Sequence, residues 1–85
     1  MKPVTIYTTP ICGYCRAAKH LLGSKGVTYE EIDVMADPTR RDEMTKRANG
    51  RRTVPQVFVG ETHVGGFDDL TTLERQGRLD ALLAD

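Results

Sequence analysis

The chain has no tryptophan, two cysteines and two histidines, and its twelve basic and twelve acidic side chains cancel over 85 residues. That balance removes the global attraction to nucleic acid or to an anionic membrane surface that a basic chain would have, so neither is expected as a partner. No apolar run is long enough to cross a bilayer, and Met1-Lys2-Pro3-Val4-Thr5 lacks the apolar h-region of a signal peptide. A cytoplasmic, reducing setting is the expectation that follows. Repeats, low-complexity tracts and linkers are absent as well, so residues 1–85 read as one small domain. With two cysteines, a closed tetrahedral zinc site would have to enlist both His20 and His63 in an unfavourable geometry. Both histidines are therefore read as surface residues, and no metal site is expected from them.

What the chain does have is a pair of cysteines in close sequence, Ile11-Cys12-Gly13-Tyr14-Cys15-Arg16. A lone Cys-x-x-Cys can be a redox dithiol, half of a metal site or a structural disulfide. Here it follows the β-branched and aromatic run Val4-Thr5-Ile6-Tyr7-Thr8, which reads as a buried strand. It precedes Ala17, Ala18, Leu21 and Leu22, whose spacing is that of an amphipathic helix. Cys12 is thus expected at a strand-to-helix turn, beside unpaired backbone N–H groups and the positive end of a helix dipole. Such a place favours thiolate over thiol and makes Cys12 a nucleophile. In a reducing compartment, a pair near a βαβ pattern points to redox activity ahead of a structural role.

The remaining chain reads as alternating elements. The first helix is expected from about Cys12 to Ser24, ended by Gly26, with a second strand over Val27 to Val34. Asp37 can cap a second helix that has Pro38 at its first position and Met44 and Ala48 on its buried face, with Asn49-Gly50 ending it. A third strand is expected over Val54 to Val59 and a fourth over Thr62 to Val64, joined by a short antiparallel turn at Gly60. Gly65-Gly66 breaks the fourth strand. A closing helix starts at Phe67-Asp68-Asp69-Leu70, with two acids where the dipole favours them, and lays Leu70, Leu73, Leu79, Leu82 and Leu83 on the sheet. The order β-α-β-α-β-β-α predicts an α/β fold with a four-stranded mixed sheet flanked by helices.

Four landmarks in this order, Cys12-Gly13-Tyr14-Cys15, Arg51-Arg52-Thr53-Val54-Pro55, Gln56-Val57-Phe58-Val59 and Gly65-Gly66-Phe67-Asp68-Asp69-Leu70, together resemble the glutaredoxin family of the small bacterial type. The resemblance covers essentially the whole chain. It implies the thioredoxin fold, glutathione as cofactor and reductant, and thiol–disulfide exchange on proteins that carry disulfides or bound glutathione. It further implies Cys12 and Cys15 as the catalytic pair, a cis Pro55, and glutathione contacts from Tyr14, Arg51, Thr53, Val54, Pro55, Gly66, Phe67 and Asp68. In that scheme the Val54 backbone pairs with the cysteinyl part of glutathione, as in strand addition. The N–H groups of Phe67 and Asp68 take the γ-glutamyl carboxylate, the Asp68 carboxylate holds the neighbouring ammonium group, and Arg51 or Arg52 meets the glycine carboxylate. Asp68 and Asp69 also suit plain helix capping.

The chain departs from the family pattern in three places. Gly13 stands where proline is commonest, Thr9 where many members carry lysine, and Phe67 where some carry a further cysteine. A small residue at position 13 keeps open a second function, a [2Fe–2S] cluster bridged between two subunits by Cys12 and glutathione in place of the expected monomer. A third is a thioredoxin-like electron donor reduced by a flavoprotein. The Gly65-Gly66-Phe67-Asp68-Asp69 segment favours glutathione chemistry over that donor role.

Overall fold

The computed structural model describes residues 2–84; the terminal residues of the expected 1–85 unit, Met1 and Asp85, lie outside the described residues. The elements are β1 (Val4–Thr8), α1 (Gly13–Ser24), β2 (Tyr29–Asp33), α2 (Pro38–Arg47), β3 (Gln56–Val59), β4 (Thr62–Gly65), α3 (Phe67–Arg75) and α4 (Leu79–Leu83). The sheet order is β2-β1-β3-β4. β1 runs parallel to β2 and antiparallel to β3, and β3 runs antiparallel to β4. The architecture is the mixed four-stranded sheet with flanking helices expected from the sequence, arranged as a thioredoxin fold.

Alternation along the strands sends side chains to two cores. Val4, Ile6, Val57 and Val59 pack with Ala18 and Leu22 of α1, Leu70 of α3, and Leu79 and Leu83 of α4. Tyr7, Ile32 and Phe58 face the other way, onto Met44 and Ala48 at α2. The second core is closed by polar ties. The Tyr7 hydroxyl donates to Glu43 Oε2 at 2.6 Å and accepts from Arg47 Nη1 at 2.7 Å, and the Arg47 guanidinium lies 4.2 Å from the Phe58 ring centroid. Burial and the Glu43 contact push the Tyr7 hydroxyl above its ordinary pKa.

Three expected boundaries are corrected. β2 is shorter than Val27 to Val34. The Val27 N–H is used by the Leu22 carbonyl at the end of α1, at 3.1 Å, and the Asp33 carboxylate turns the chain by accepting from Met35 and Ala36 N–H. β3 begins at Gln56, not Val54, because Pro55 has no N–H to give a ladder; the Val54–Pro55 bond is cis, as the family resemblance implied. The single closing helix is in fact α3 and α4. Gly77, at φ 70°, takes the left-handed position past the α3 end, and Gly77 and Arg78 N–H close onto the Glu74 and Leu73 carbonyls at 3.0 and 2.9 Å. No described helix is long and apolar enough to cross a membrane.

Leu70 is fully buried in the first turn of α3 and ties that helix to the sheet. Leu70→Ala should cost about 2–5 kcal/mol of stability in chemical denaturation. A loss below about 1 kcal/mol would mean that α3 is held mainly by other contacts.

Candidate active site

Cys12 is the N-cap of α1, in extended backbone at the end of the β1–α1 connection. Its Sγ accepts the Cys15 backbone N–H at 3.1 Å, so the sulfur itself satisfies one of the helix's free first-turn donors. As a thiol it points at the Val54 carbonyl, 3.8 Å away. Cys12 is half-buried and Cys15 fully buried, and both are free. Burial, then the contact with Cys12, push the Cys15 thiol up to about 12. The two sulfurs are therefore inequivalent: one sits at a helix terminus within reach of solvent, and the other is held as a buried thiol one turn inside. Gly13, the first helical residue, has open space around the position of a Cβ.

Beside Cys12 runs a groove of about 180 Å³ lined by Tyr14, Arg51, Thr53, Val54, Pro55, Gly66, Phe67, Asp68 and Asp69. Tyr14, Arg51, Thr53, Val54, Pro55, Gly66, Phe67 and Asp68, the candidate glutathione contacts, all lie along it, whereas Arg52, the alternative to Arg51, does not. The exposed Tyr14 ring stacks on Phe67, with centroids 6.0 Å apart, and forms one wall. The connection to β3 supplies Thr53, Val54 and Pro55 on the other side. α3 closes one end, and because its N-cap Gly66 has no side chain, no side-chain cap occupies the first-turn N–H groups at Phe67 and Asp68. Asp68 is exposed, and its carboxylate has no hydrogen-bond partner among the described residues.

Asp69 is the groove residue that the sequence read as a helix cap and not as a ligand contact. Its Oδ2 accepts from Arg51 Nη1 at 3.0 Å and from the Gly66 N–H at 3.0 Å, so it joins the arginine to the start of α3. These contacts, the Arg51 hydrogen bond foremost, hold its carboxyl below the ordinary aspartate value. Gly65 passes beneath the pair at φ 116°; a Cβ there would collide with the Asp69 carboxylate and lie 2.9 Å from Arg51 Nη1. The contact with the Gly66 N–H is the helix capping that the sequence offered for Asp69.

Arg41 and Arg52 are engaged outside the groove. Arg52 is absent from the groove and lies 3.8 Å from Asp42, and Arg41 donates to the Arg52 carbonyl at 2.9 Å. His20 is exposed as expected, whereas His63 is corrected from a surface residue to a half-buried one. It stacks on Phe58 with centroids 5.0 Å apart, and its Nε2 lies 2.7 Å from Gln56 Oε1.

A family model described as Glutaredoxin matches residues 4–64. A glutaredoxin of Pseudomonas aeruginosa is 56% identical over 84 residues, with 99% of each chain covered. Among solved structures, the solution structure of glutaredoxin from Brucella melitensis superposes with a TM-score of 0.85 at 54% identity, over 98% of this chain and 89% of that one. The crystal structure of a buckwheat glutaredoxin–glutathione complex superposes with a TM-score of 0.88 at 30% identity, over 96% of this chain and 76% of that one.

The buried, raised Cys15 sets a measurable expectation. In a Cys12→Ser variant the remaining thiol should resist iodoacetamide through neutral pH and become reactive only as strong alkali ionises it. Rapid alkylation near neutrality, followed by mass spectrometry, would contradict the buried-thiol assignment.

Proposed function

The chain belongs to the glutaredoxin family of thiol–disulfide oxidoreductases, and we propose that it reduces glutathione mixed disulfides and protein disulfides with glutathione as electron donor. The observation that carries this reading is the groove. It sets unused first-turn N–H groups, an unpaired Asp68 carboxylate and the Val54 backbone in one line beside Cys12. A tripeptide with charged ends needs such a central backbone rail and charge-matched termini. The solved buckwheat relative is a complex with glutathione, which supports the same occupant here. The γ-glutamyl end would lie on the α3 N-terminus and Asp68. Arg51, whose Nη1 is already held by Asp69, would present its remaining N–H groups to the glycine carboxylate.

In deglutathionylation, the Cys12 thiolate attacks the glutathione sulfur of a protein mixed disulfide. A Cys12–glutathione bond forms, the protein–glutathione bond breaks, and the protein leaves as a thiolate that takes a proton from solvent. A second glutathione thiolate then attacks the glutathione sulfur on Cys12. It releases the Cys12 thiolate and leaves as glutathione disulfide, so each mixed disulfide consumes one reduced glutathione, the other half of the glutathione disulfide coming from the substrate. For a protein disulfide, Cys12 forms the mixed disulfide with the substrate. The first substrate sulfur leaves as a thiolate that takes a proton from solvent; Cys15 then gives up its proton and attacks Cys12, and the second substrate sulfur departs carrying that proton, so the substrate leaves as a dithiol. Two further glutathione molecules reduce the Cys12–Cys15 disulfide. This chemistry needs a compartment that supplies reduced glutathione, which supports a cytoplasmic setting.

A [2Fe–2S] cluster is held by a full set of thiolate ligands. Cys15 is buried, and no group of three or more His, Cys, Asp or Glu residues that could hold a metal ion exists among the described residues. One chain therefore offers Cys12 alone as a thiolate donor, and a bridged cluster would need a second copy and glutathione for the rest; the groove beside Cys12 supports the glutathione-dependent reduction ahead of it. The groove likewise favours glutathione over direct reduction by a flavoprotein.

Turnover of a glutathionylated peptide should depend on glutathione and not on thioredoxin reductase. Cys12→Ser should abolish this activity and protein-disulfide reduction together, while Cys15→Ser should spare the first and impair the second. Equal loss of both in Cys15→Ser would refute the division of labour. Asp68→Ala should raise the KM for the glutathionylated peptide about threefold or more with little change in kcat, since it removes binding shared by ground and transition states. An unchanged KM would move the γ-glutamyl site elsewhere.

A further inference from the structure

Gln56 is fully buried at the head of β3, and such a side chain must satisfy its amide internally. It does so at both ends. Its Nε2 donates to Thr53 Oγ1 at 3.2 Å, across the Val54–Pro55 step, and its Oε1 faces His63 Nε2 at 2.7 Å. A carbonyl oxygen only accepts, so the His63 partner must be an N–H. His63 is held from behind by its stack on Phe58, which in turn lies under the Arg47 guanidinium. At the far end, Thr53 lines the groove beside Arg51 and Pro55.

The direction of these bonds matters. His63 donates to Gln56, and Gln56 donates to Thr53. The Thr53 oxygen thus has an acceptor site filled from behind, which leaves its O–H to donate forward into the groove. A chain of donors aligned in one sense polarises each member toward the next. We infer that His63 is a positioning residue for the ligand groove: through Gln56 it orients the Thr53 hydroxyl as a donor toward an anionic acceptor, the carboxylate of a glutathionyl ligand. The inference rests on the glutathione reading of the groove and adds to it a residue that touches no ligand. Burial, together with the Arg51 charge and against that of Asp69, lowers the His63 pKa and so favours the neutral ring; the relay then requires its proton on Nε2.

The test uses the whole chain and a glutathionylated peptide with glutathione as reductant. His63→Phe keeps an aromatic ring for the Phe58 stack and removes the donor; it should raise the KM for the glutathionylated peptide about fivefold while kcat stays within about twofold. His63→Gln restores a donor and should recover most of the lost affinity. In a Thr53→Val background, His63→Phe should add nothing, because the hydroxyl through which it acts is gone. An unchanged KM in His63→Phe, or additive effects in the double variant, overturns the relay. A further measurement needs no variant: the imidazole ¹⁵N–¹H correlation spectrum of the wild-type protein at neutral pH should show the Nε2-protonated tautomer, and the Nδ1-protonated form contradicts the inference. A wild-type protein inactive with glutathione would instead overturn the glutathione reading, and the tautomer would still decide whether the relay exists.

Discussion

The hydrogen bond from the Cys15 N–H to Cys12 Sγ, at 3.1 Å, is the contact on which the site depends. It makes a sulfur do the work that serine, threonine or aspartate does at most helix starts: satisfying a first-turn donor. Because that sulfur is the cap, it sits at the end of a helix dipole that favours negative charge. The three-residue step that makes the bond also takes Cys15 inside, against the core face of α1. One local geometry therefore produces a half-buried sulfur at a helix terminus, the proposed nucleophile, and a buried thiol raised to about 12, the proposed resolving group. β1 sits centrally between β2 and β3, and it delivers the turn that holds this cap.

The groove extends the same economy of helix ends. α3 begins behind a glycine and leaves its first N–H groups without a side-chain cap, while Asp69 reaches back to the Gly66 N–H and grips Arg51. That pair fixes the α3 terminus against the segment leading to Pro55, and Gly65 is demanded beneath it because a Cβ would strike the Asp69 carboxylate. Asp68, one residue earlier, is exposed and has no hydrogen-bond partner for its carboxylate among the described residues. In the proposed scheme the adjacent acids divide the roles of building and binding. On the opposite side, Gln56 and His63 give the Thr53 hydroxyl a back support, so both walls of the groove are braced by residues behind them.

Much of this was readable from residue order. β1 matched to the residue because its β-branched and aromatic run has clear ends, and Asp37-Pro38 placed the α2 start because cap and proline agree. The closing helix was read as continuous because Leu79, Leu82 and Leu83 carry the apolar pattern past Gly77, and periodicity does not register a single left-handed residue. β3 was begun too early because apolar character says nothing of Pro55's missing N–H. At the site, the family resemblance carried by the four motifs named the groove residues, but spacing could not tell which of Asp68 and Asp69 ties Arg51 to the start of α3. It also could not show that His63, paired with Phe58 across β3 and β4, has a buried amide to hold.

The central claim is that capping and burial assign the two sulfurs to separate roles, and it is tested most directly by locating the first covalent adduct. The reduced wild-type protein would be mixed briefly with a glutathionylated peptide, quenched in acid and mapped by mass spectrometry. The account predicts glutathione on Cys12 alone at the earliest times, followed by its loss. Glutathione found first on Cys15, or on both cysteines equally, would contradict it.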